Sequence, residues 1–148
     1  MKKRTIGVLS KACSVKVTTI RYYERIGLLS DPDRTASGQR VYDAEAEDAL
    51  NFIRHARELG FSIEAIRELM SLDAKPDGVC ADANRIAARQ LEDVEAKIAN
   101  LDRLREELKR MLSSCEGESA DACEVIKSLR DHTRCQNQHL KPGVQSYA

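Results

Sequence analysis

Large aromatic side chains are scarce in this chain of 148 residues, which holds no Trp, two Phe and four Tyr. Because bulky side chains are few, the composition predicts a thin hydrophobic core for a chain of this length. Charged residues make up 32% of the sequence. We therefore expect one small domain plus an extended element that buries much of its apolar surface against a partner chain.

A signal peptide is also missing, as is any apolar run long enough to cross a bilayer. We therefore expect a cytoplasmic protein with no membrane partner. In such a reducing compartment, the five cysteines favour metal binding, redox chemistry or burial over a disulfide framework. Cys13 fits a small buried residue and not a metal ligand.

The features that mark common enzyme designs are absent too. The sequence has no alternating strand–helix pattern that would form a pocket, no glycine-rich phosphate loop and no nucleophile–base pair. We therefore expect that the protein is not an enzyme.

The formal net charge is zero, but the charges are unevenly distributed. Residues 1–42 hold nine Lys and Arg against three Asp and Glu, so the remainder holds fifteen against twenty-one. A basic N-terminal segment on an acidic body suits a protein that contacts nucleic acid at one end, because phosphates require local positive charge.

The basic segment contains two short helical patterns separated by a tight turn. Thr5 is placed to cap a helix over residues 6–12, and a second helix over 17–26 ends at Gly27. This arrangement predicts a helix-turn-helix, whose second helix binds the major groove. We expect one of two adjacent tyrosines to pack in the core. The cations and hydrogen-bonding side chains of the second helix are Lys16, Thr18, Thr19, Arg21, Tyr22, Tyr23 and Arg25.

A short β-hairpin is predicted next, because turn residues surround Gly38 and residues 40–42 suit a strand. Arg34 and Arg40 would let this hairpin act as a wing that grips the DNA backbone.

Two further helices follow the hairpin. Asp43 is expected to cap a helix over 44–59, and Ser62 one over 63–72.

Residues 81–114 contain neither Gly nor Pro and predict one uninterrupted helix. At ~1.5 Å per residue, the thiols of Cys80 and Cys115 would lie roughly 50 Å apart in one chain. They meet between two chains if the helix pairs antiparallel with its copy.

In an antiparallel pair, the numbers of two facing residues always add to the same total. The total for Cys80 and Cys115 is also obtained for Ala87 with Leu108, Leu91 with Leu104 and Val94 with Leu101. These residues belong to an apolar stripe: Ala87, Leu91, Val94, Ile98, Leu101, Leu104, Leu108 and Met111. An ordinary coiled coil with incidental cysteines is the alternative.

The remaining cysteines lie in two groups near the C-terminus. The spacing Cys115-x7-Cys123 is looser than that of structural zinc knuckles and suits either a metal site or a reversible disulfide of a redox sensor. At helical spacing His132, Cys135 and His139 would share a face and add a ligand or a second metal; the alternative is a polar tail with incidental His and Cys. An iron–sulfur cluster is disfavoured because no tight group of four cysteines is present.

Several motifs together resemble one known family. They are Thr19-Ile20-Arg21-Tyr22-Tyr23-Glu24, Gly27-Leu28-Leu29, the wing ending Arg40-Val41-Tyr42, and Leu59-Gly60-Phe61-Ser62 followed by Ile66 and Leu69. Over residues 4–129 the chain resembles the mercury-resistance-regulator (MerR) family of transcription factors. Its long helix and terminal cysteine loop resemble the metal-sensing branch of that family.

The resemblance implies a mainly α fold. A winged helix-turn-helix DNA-binding head (1–74) with a small β-hairpin wing would precede a linker and a long antiparallel dimerisation helix (75–114). A metal-binding loop with a short helix (115–129) and a polar, flexible tail (130–148) would follow.

The implied function is transcription regulation by a homodimer on a palindromic promoter operator. In this family, effector binding twists and bends the DNA so that RNA polymerase can use a promoter whose elements are too far apart. Arg21, Tyr22 and Arg40 match family positions that contact DNA, and Lys16 and Thr18 are expected additions.

The resemblance also assigns the cysteines. Cys115 and Cys123 match the loop cysteines, and Cys80 matches a position at the start of the long helix, where copper(I)-sensing members have Ser. Together with Cys80 of the partner chain, the loop would supply three sulfurs. We therefore expect a divalent soft metal, namely zinc, cadmium, lead or mercury. A thiol redox sensor or a copper(I) sensor of the same fold is the alternative.

Overall fold

The computed structural model describes residues 3–75, 77, 79–114 and 123–135, and helices make up most of this part of the chain. The chain divides into two compact units, an N-terminal unit up to Gln90 and a C-terminal unit from Leu91. The elements of the N-terminal unit are β1 (Arg4–Thr5), α1 (Ile6–Cys13), α2 (Val17–Arg25), β2 (Asp33–Arg34), β3 (Arg40–Tyr42), α3 (Ala44–Glu58), α4 (Ile63–Asp73) and the start of α5 (Val79–Ser113). The C-terminal unit holds the rest of α5, α6 (Glu124–Arg130) and a 3₁₀ turn over His132–Arg134.

Local sequence signals placed most of the helix ends correctly. The Asp43 carboxylate accepts a hydrogen bond from the Ala46 amide at 2.9 Å, and the Ser62 hydroxyl accepts one from the Ala65 amide at 3.1 Å. These contacts confirm the two predicted N-caps. The predicted and observed helix bounds agree to within two residues, which is the usual margin for assigning helix ends.

Thr5 occupies the predicted N-cap position of α1 but does not cap the helix through its side chain. Its backbone pairs with Val41 instead. Strand β1 thereby joins the wing, and the antiparallel sheet has the order β1-β3-β2, with Arg34 opposite Arg40. A strand of two residues shows no alternation in sequence, so the sequence predicted only the β2–β3 hairpin.

The core of the N-terminal unit lies where α1, α2, α3 and α4 meet the sheet. As expected, one of the two adjacent tyrosines, Tyr23, is buried in this core, while Tyr22 is 40% exposed. Cys13 is also buried there, as predicted, and burial raises the pKa of its thiol. The core residues are Leu9, Cys13, Ile20, Tyr23, Leu28, Leu29, Tyr42, Leu50, Ile53, Ala56 and Ile66.

Helix α5 is one uninterrupted helix of 35 residues, as the absence of Gly and Pro predicted. Near its start Ile86 is buried, whereas much of the apolar stripe is exposed in the single chain. Leu91, Ile98, Leu101 and Leu108 are each at least half exposed. Leaving so much apolar surface in water is unfavourable, so this face of α5 is suited to a partner. None of the helices in the described part of the chain has the length and apolar character needed to cross a membrane.

Candidate functional site

The outer face of α2 and the residue before it carry all of the predicted DNA-contacting side chains except Arg40, which lies on the wing. Lys16 precedes the helix, and Thr18 and Arg21 are exposed on it. The Arg25 guanidinium lies 5.5 Å from the centre of the Tyr22 ring, which keeps this aromatic side chain against a cation at the surface. The face therefore combines positive charge with hydroxyl groups, a suitable set for binding a nucleic-acid backbone and base edges.

The wing is attached to α2 through Glu24. The Tyr42 hydroxyl donates a hydrogen bond to the Glu24 carboxylate, and Arg40 Nε lies 3.5 Å from the same carboxylate. Burial, and then the hydrogen bond to Glu24, raise the pKa of Tyr42, so the phenol stays protonated. Arg40 is half-buried in this arrangement, and its predicted contact with DNA stays a prediction.

The tip of the wing is held by its own short-range hydrogen bonds. Arg34 Nη1 donates to the Gly38 carbonyl at 3.1 Å, and the Gln39 amide donates to the Thr35 hydroxyl at 3.0 Å. Gly38 has φ 83°, a conformation that favours glycine at the turn. The exposed tip is therefore a defined loop that carries a cation.

Two of the three predicted metal-binding cysteines lie in the described part of the chain. Cys80 is exposed in the first turn of α5, where Asn84 Nδ2 lies 3.8 Å from its sulfur. Cys123 is half-buried and directly precedes α6. Cys115 lies outside the described residues. Within the described ranges, no three His, Cys, Asp or Glu side chains of one chain form a group that could hold a metal ion.

The second predicted group is arranged differently from the expectation. The helical spacing expected from His132 to Cys135 is not present, because α6 ends at Arg130 and a 3₁₀ turn follows. Asp131 initiates this turn by accepting hydrogen bonds from the Thr133 amide at 3.0 Å and hydroxyl at 2.7 Å. Cys135 follows in extended backbone, and burial followed by the negative charge of Glu107 raises the pKa of its thiol. His139 lies outside the described residues.

A partly buried polar cluster on α5, α6 and the 3₁₀ turn was not predicted from the sequence. It consists of Glu107, Arg110, Glu124, Ser128 and Arg134. Arg110 donates to Glu107 at 2.7 Å, to Ser128 at 3.2 Å and to Glu124 at 3.4 Å. Arg134 donates to the other oxygen of Glu124 at 3.2 Å.

This polar cluster joins the end of α5 to α6. The hydrogen bond from Arg134, together with that from Arg110, lowers the pKa of Glu124, which keeps the carboxylate charged. Glu107 is acidic but only 2% exposed. It lies three residues after Leu104 and therefore close to the apolar stripe on the surface of α5. An acidic residue beside an apolar stripe was the available sequence signal, but spacing did not predict that Arg110, which binds Glu107, also contacts Glu124 and Ser128 of α6.

Two family models match this chain. A model described as "MerR HTH family regulatory protein" matches residues 4–73, and one described as "MerR, DNA binding" matches residues 48–111. Together they span the predicted helix-turn-helix, the wing and α5 almost to its end.

Individual proteins are similar over most of the chain. The HTH-type transcriptional regulator ZntR of Escherichia coli K12 is 39% identical over 127 residues, which cover 84% of this chain and 90% of that protein. The transcription regulator PbrR691 from Ralstonia metallidurans CH34, solved in complex with lead(II), has a TM-score of 0.73 at 32% identity and covers 85% of this chain and 98% of that one.

A second solved structure is a dual-function transcriptional regulator from Bacillus megaterium MB1 in complex with a mercury(II) ion. It has a TM-score of 0.66 at 30% identity and covers 86% of this chain and 100% of that one. All of these similar proteins are transcription regulators, which confirms the expectation that the chain is not an enzyme.

Proposed function

Because the chain belongs to the MerR family of transcription regulators, as its motifs predicted, we propose that it is a metal-responsive transcription activator. It binds a palindromic promoter operator as a homodimer and activates metal resistance or efflux genes. Binding of a divalent soft metal changes the dimer so that it distorts the DNA and allows RNA polymerase to start transcription. Residues 1–74 bind DNA, 75–114 dimerise and 115–129 bind the metal.

The exposed apolar stripe of α5 is the observation that carries this proposal. Leu91 is 57% exposed and Leu108 is 58% exposed in the single chain. Pairing α5 antiparallel with its copy would bury both residues and would bring Cys80 of one chain to the Cys115 end of the other. A site shared between two chains couples metal binding to dimer geometry, which a switch requires.

The DNA-binding surface is the outer face of α2. Lys16, Thr18, Arg21 and Tyr22 are all exposed there, and Arg40 lies on the adjacent wing. Arg21→Ala is expected to weaken operator binding with and without metal. Unchanged affinity of this variant would exclude α2 as the recognition helix.

The donor set fits a soft metal. Cys80 of one chain with Cys115 and Cys123 of the other supplies three thiolates, which bind zinc, cadmium, lead or mercury in preference to magnesium or calcium. The relatives solved with lead(II) and mercury(II) support metals of this class. His132, Cys135 and His139 remain candidates for an additional ligand or a second metal.

Metal titration of the purified, reduced protein tests the proposed effector. Zinc, cadmium, lead, mercury and copper(I) are added separately while thiolate charge-transfer absorbance and transcription from a bound promoter are recorded. Activation by a divalent soft metal is the expected result. Activation by copper(I) alone, or by an oxidant without metal, would support the alternative sensors of the same fold.

Cysteine substitutions separate sensing from DNA binding. Cys115→Ser and Cys123→Ser are each expected to abolish metal-induced transcription and to leave operator affinity nearly unchanged. Loss of operator binding instead would show that the segment from Cys115 to Cys123 has a structural role.

A mixed dimer tests whether the site is shared between chains. One chain carries Cys80→Ser and the other carries Cys115→Ser, and the control is the dimer with both substitutions in each chain. Cross-chain ligation leaves one intact site in the mixed dimer and none in the control. Two equivalent sites in the mixed dimer would contradict the proposal.

A further inference from the structure

The proposed recognition helix α2 ends in a Schellman motif. Gly27 has φ 69°, the Leu28 amide donates to the Tyr23 carbonyl at 2.9 Å, and the Gly27 amide donates to the Glu24 carbonyl at 3.0 Å. The carbonyls of Ile26 and Gly27 lie beyond these two bonds. They require a donor from outside the helix or from water.

Arg67 of α4 supplies that donor. Its Nη2 donates to the Ile26 carbonyl at 2.8 Å, and its Nη1 donates to the Gly27 carbonyl at 3.0 Å. The planar guanidinium can bind two adjacent carbonyls at once, whereas a lysine ammonium acts as a point donor. The positive charge also lies at the carbonyl end of the α2 dipole, where it is favourable.

The same helix, α4, also contacts the start of α5. Glu68, the residue after Arg67, lies 3.5 Å from Arg89 of α5. Leu72 of α4 and Ile86 of α5 are both buried and line one small cavity. Helix α4 is therefore in contact with the long helix through Glu68, and with the end of the recognition helix through Arg67.

We propose that Arg67 is a positioning residue for operator recognition, which holds the end of α2 against α4 and thereby links α2 to the start of α5. The proposal rests on the proposed function, because α2 must be the helix that contacts DNA. Arg67 acts by restricting the orientation of α2 in the free protein. Arg21 and Tyr22 are then already oriented toward DNA, and binding costs less conformational entropy.

The end of α3 provides an internal control. It has the same motif, with Gly60 at φ 83° and the Phe61 amide donating to the Ala56 carbonyl at 3.1 Å. There Gln90 Nε2 of α5 donates to the Leu59 carbonyl at 2.8 Å. Gln90→Ala therefore removes a side-chain hydrogen bond to a carbonyl at the end of a helix that is not the recognition helix.

Operator affinity of Arg67 variants tests the proposal. The probe is a DNA duplex that the wild-type protein selects from random sequence. Arg67→Lys and Arg67→Gln are both expected to weaken binding about tenfold, since neither side chain reproduces two charge-assisted bonds. Gln90→Ala is expected to retain wild-type affinity within about twofold, because it removes one neutral hydrogen bond at another helix end.

Salt dependence separates positioning from direct binding of a phosphate. If Arg67 only positions α2, the slope of log affinity against log salt is the same for Arg67→Gln and the wild type. Direct phosphate binding predicts instead that Arg67→Lys binds normally and that Arg67→Gln lowers the slope by about 0.9 for each phosphate that is no longer neutralised. That result, or wild-type affinity of both variants, would overturn the proposal.

Hydrogen exchange tests the role of Arg67 without DNA. In Arg67→Lys the amides of residues 26–29 are expected to exchange faster than in the wild type, while those of 59–61 are unaffected; Gln90→Ala should show the reverse. Unchanged exchange at 26–29 would show that Arg67 does not hold the helix end. If Arg21→Ala also leaves operator binding unchanged, the assignment of α2 fails, whatever the exchange experiment shows.

Discussion

The two units of the chain differ in the interactions that stabilise each unit internally. The N-terminal unit surrounds an apolar core in which Leu9, Ile20 and Ile53 are fully buried. In the described part of the C-terminal unit, the buried residues are mostly polar. They are Asn100, Glu107, Met111 and Ser128.

This difference has a mechanical consequence. Burial of apolar surface is not directional and sums over many contacts. The fold of the N-terminal unit, which carries α2 and the wing, therefore does not depend on any single polar contact. The polar cluster depends on a few donors with defined geometry, and Arg110 alone contacts Glu107, Glu124 and Ser128. The attachment of helix α6, which follows Cys123, is thus sensitive to loss of the single charge of Arg110.

The largest effect is expected in the apolar core. Ile53→Ala removes a fully buried side chain and is expected to destabilise the N-terminal unit by about 2–5 kcal/mol. Val8→Ala, at a position 50% exposed on α1, is the matched control and should change stability by less than about 0.5 kcal/mol. Chemical denaturation followed by helix signal measures both. A similar small loss for the two variants would contradict the core assignment.

An intermediate, local effect is expected in the polar cluster. Arg110→Lys cannot contact Glu107, Glu124 and Ser128 together, so amide exchange in α6 should accelerate while that in α3 is unchanged. Arg105→Lys is the control, because Arg105 makes a similar i,i+3 pair with Asp102 on the same helix, but an exposed one. Equal exchange in α6 for both variants would show that the cluster does not hold this helix.

The smallest effect is expected at the helix caps. Ser62→Ala should destabilise the N-terminal unit by about 1 kcal/mol, because the Ala65 amide loses its side-chain acceptor. Thr5→Ala should cost less, since the Thr5 side chain makes no capping hydrogen bond. Thermal unfolding of the two variants, measured side by side, provides the comparison. A larger loss for Thr5→Ala would restore the capping role that the structure does not support.

Much of the fold was predictable because its signals are local. Gly27 and Gly60 end α2 and α3, Asp43 and Ser62 begin α3 and α4, and each signal acts within a few residues. Three of the predicted DNA-binding side chains, Thr18, Arg21 and Tyr22, lie exposed on α2, because helical spacing places them there.

The unpredicted features connect residues that are distant in sequence. Strand β1 pairs Arg4 with Tyr42, Arg67 donates to the carbonyl of Gly27, 40 residues earlier in the chain, and Arg110 of α5 reaches Glu124 of α6. The strand pair depends on backbone groups that every residue carries, and arginines such as Arg67 and Arg110 are common on helix surfaces, so composition and spacing do not identify the partner.

The helices, the apolar stripe of α5 and the family to which the chain belongs were readable from the amino-acid sequence, because periodicity, capping and motifs act over a few neighbouring residues. The pairing of polar side chains with particular backbone carbonyls and carboxylates was not readable in this way. A hydrogen bond requires its donor and acceptor within about 3 Å, and that distance is set by the packing of whole helices.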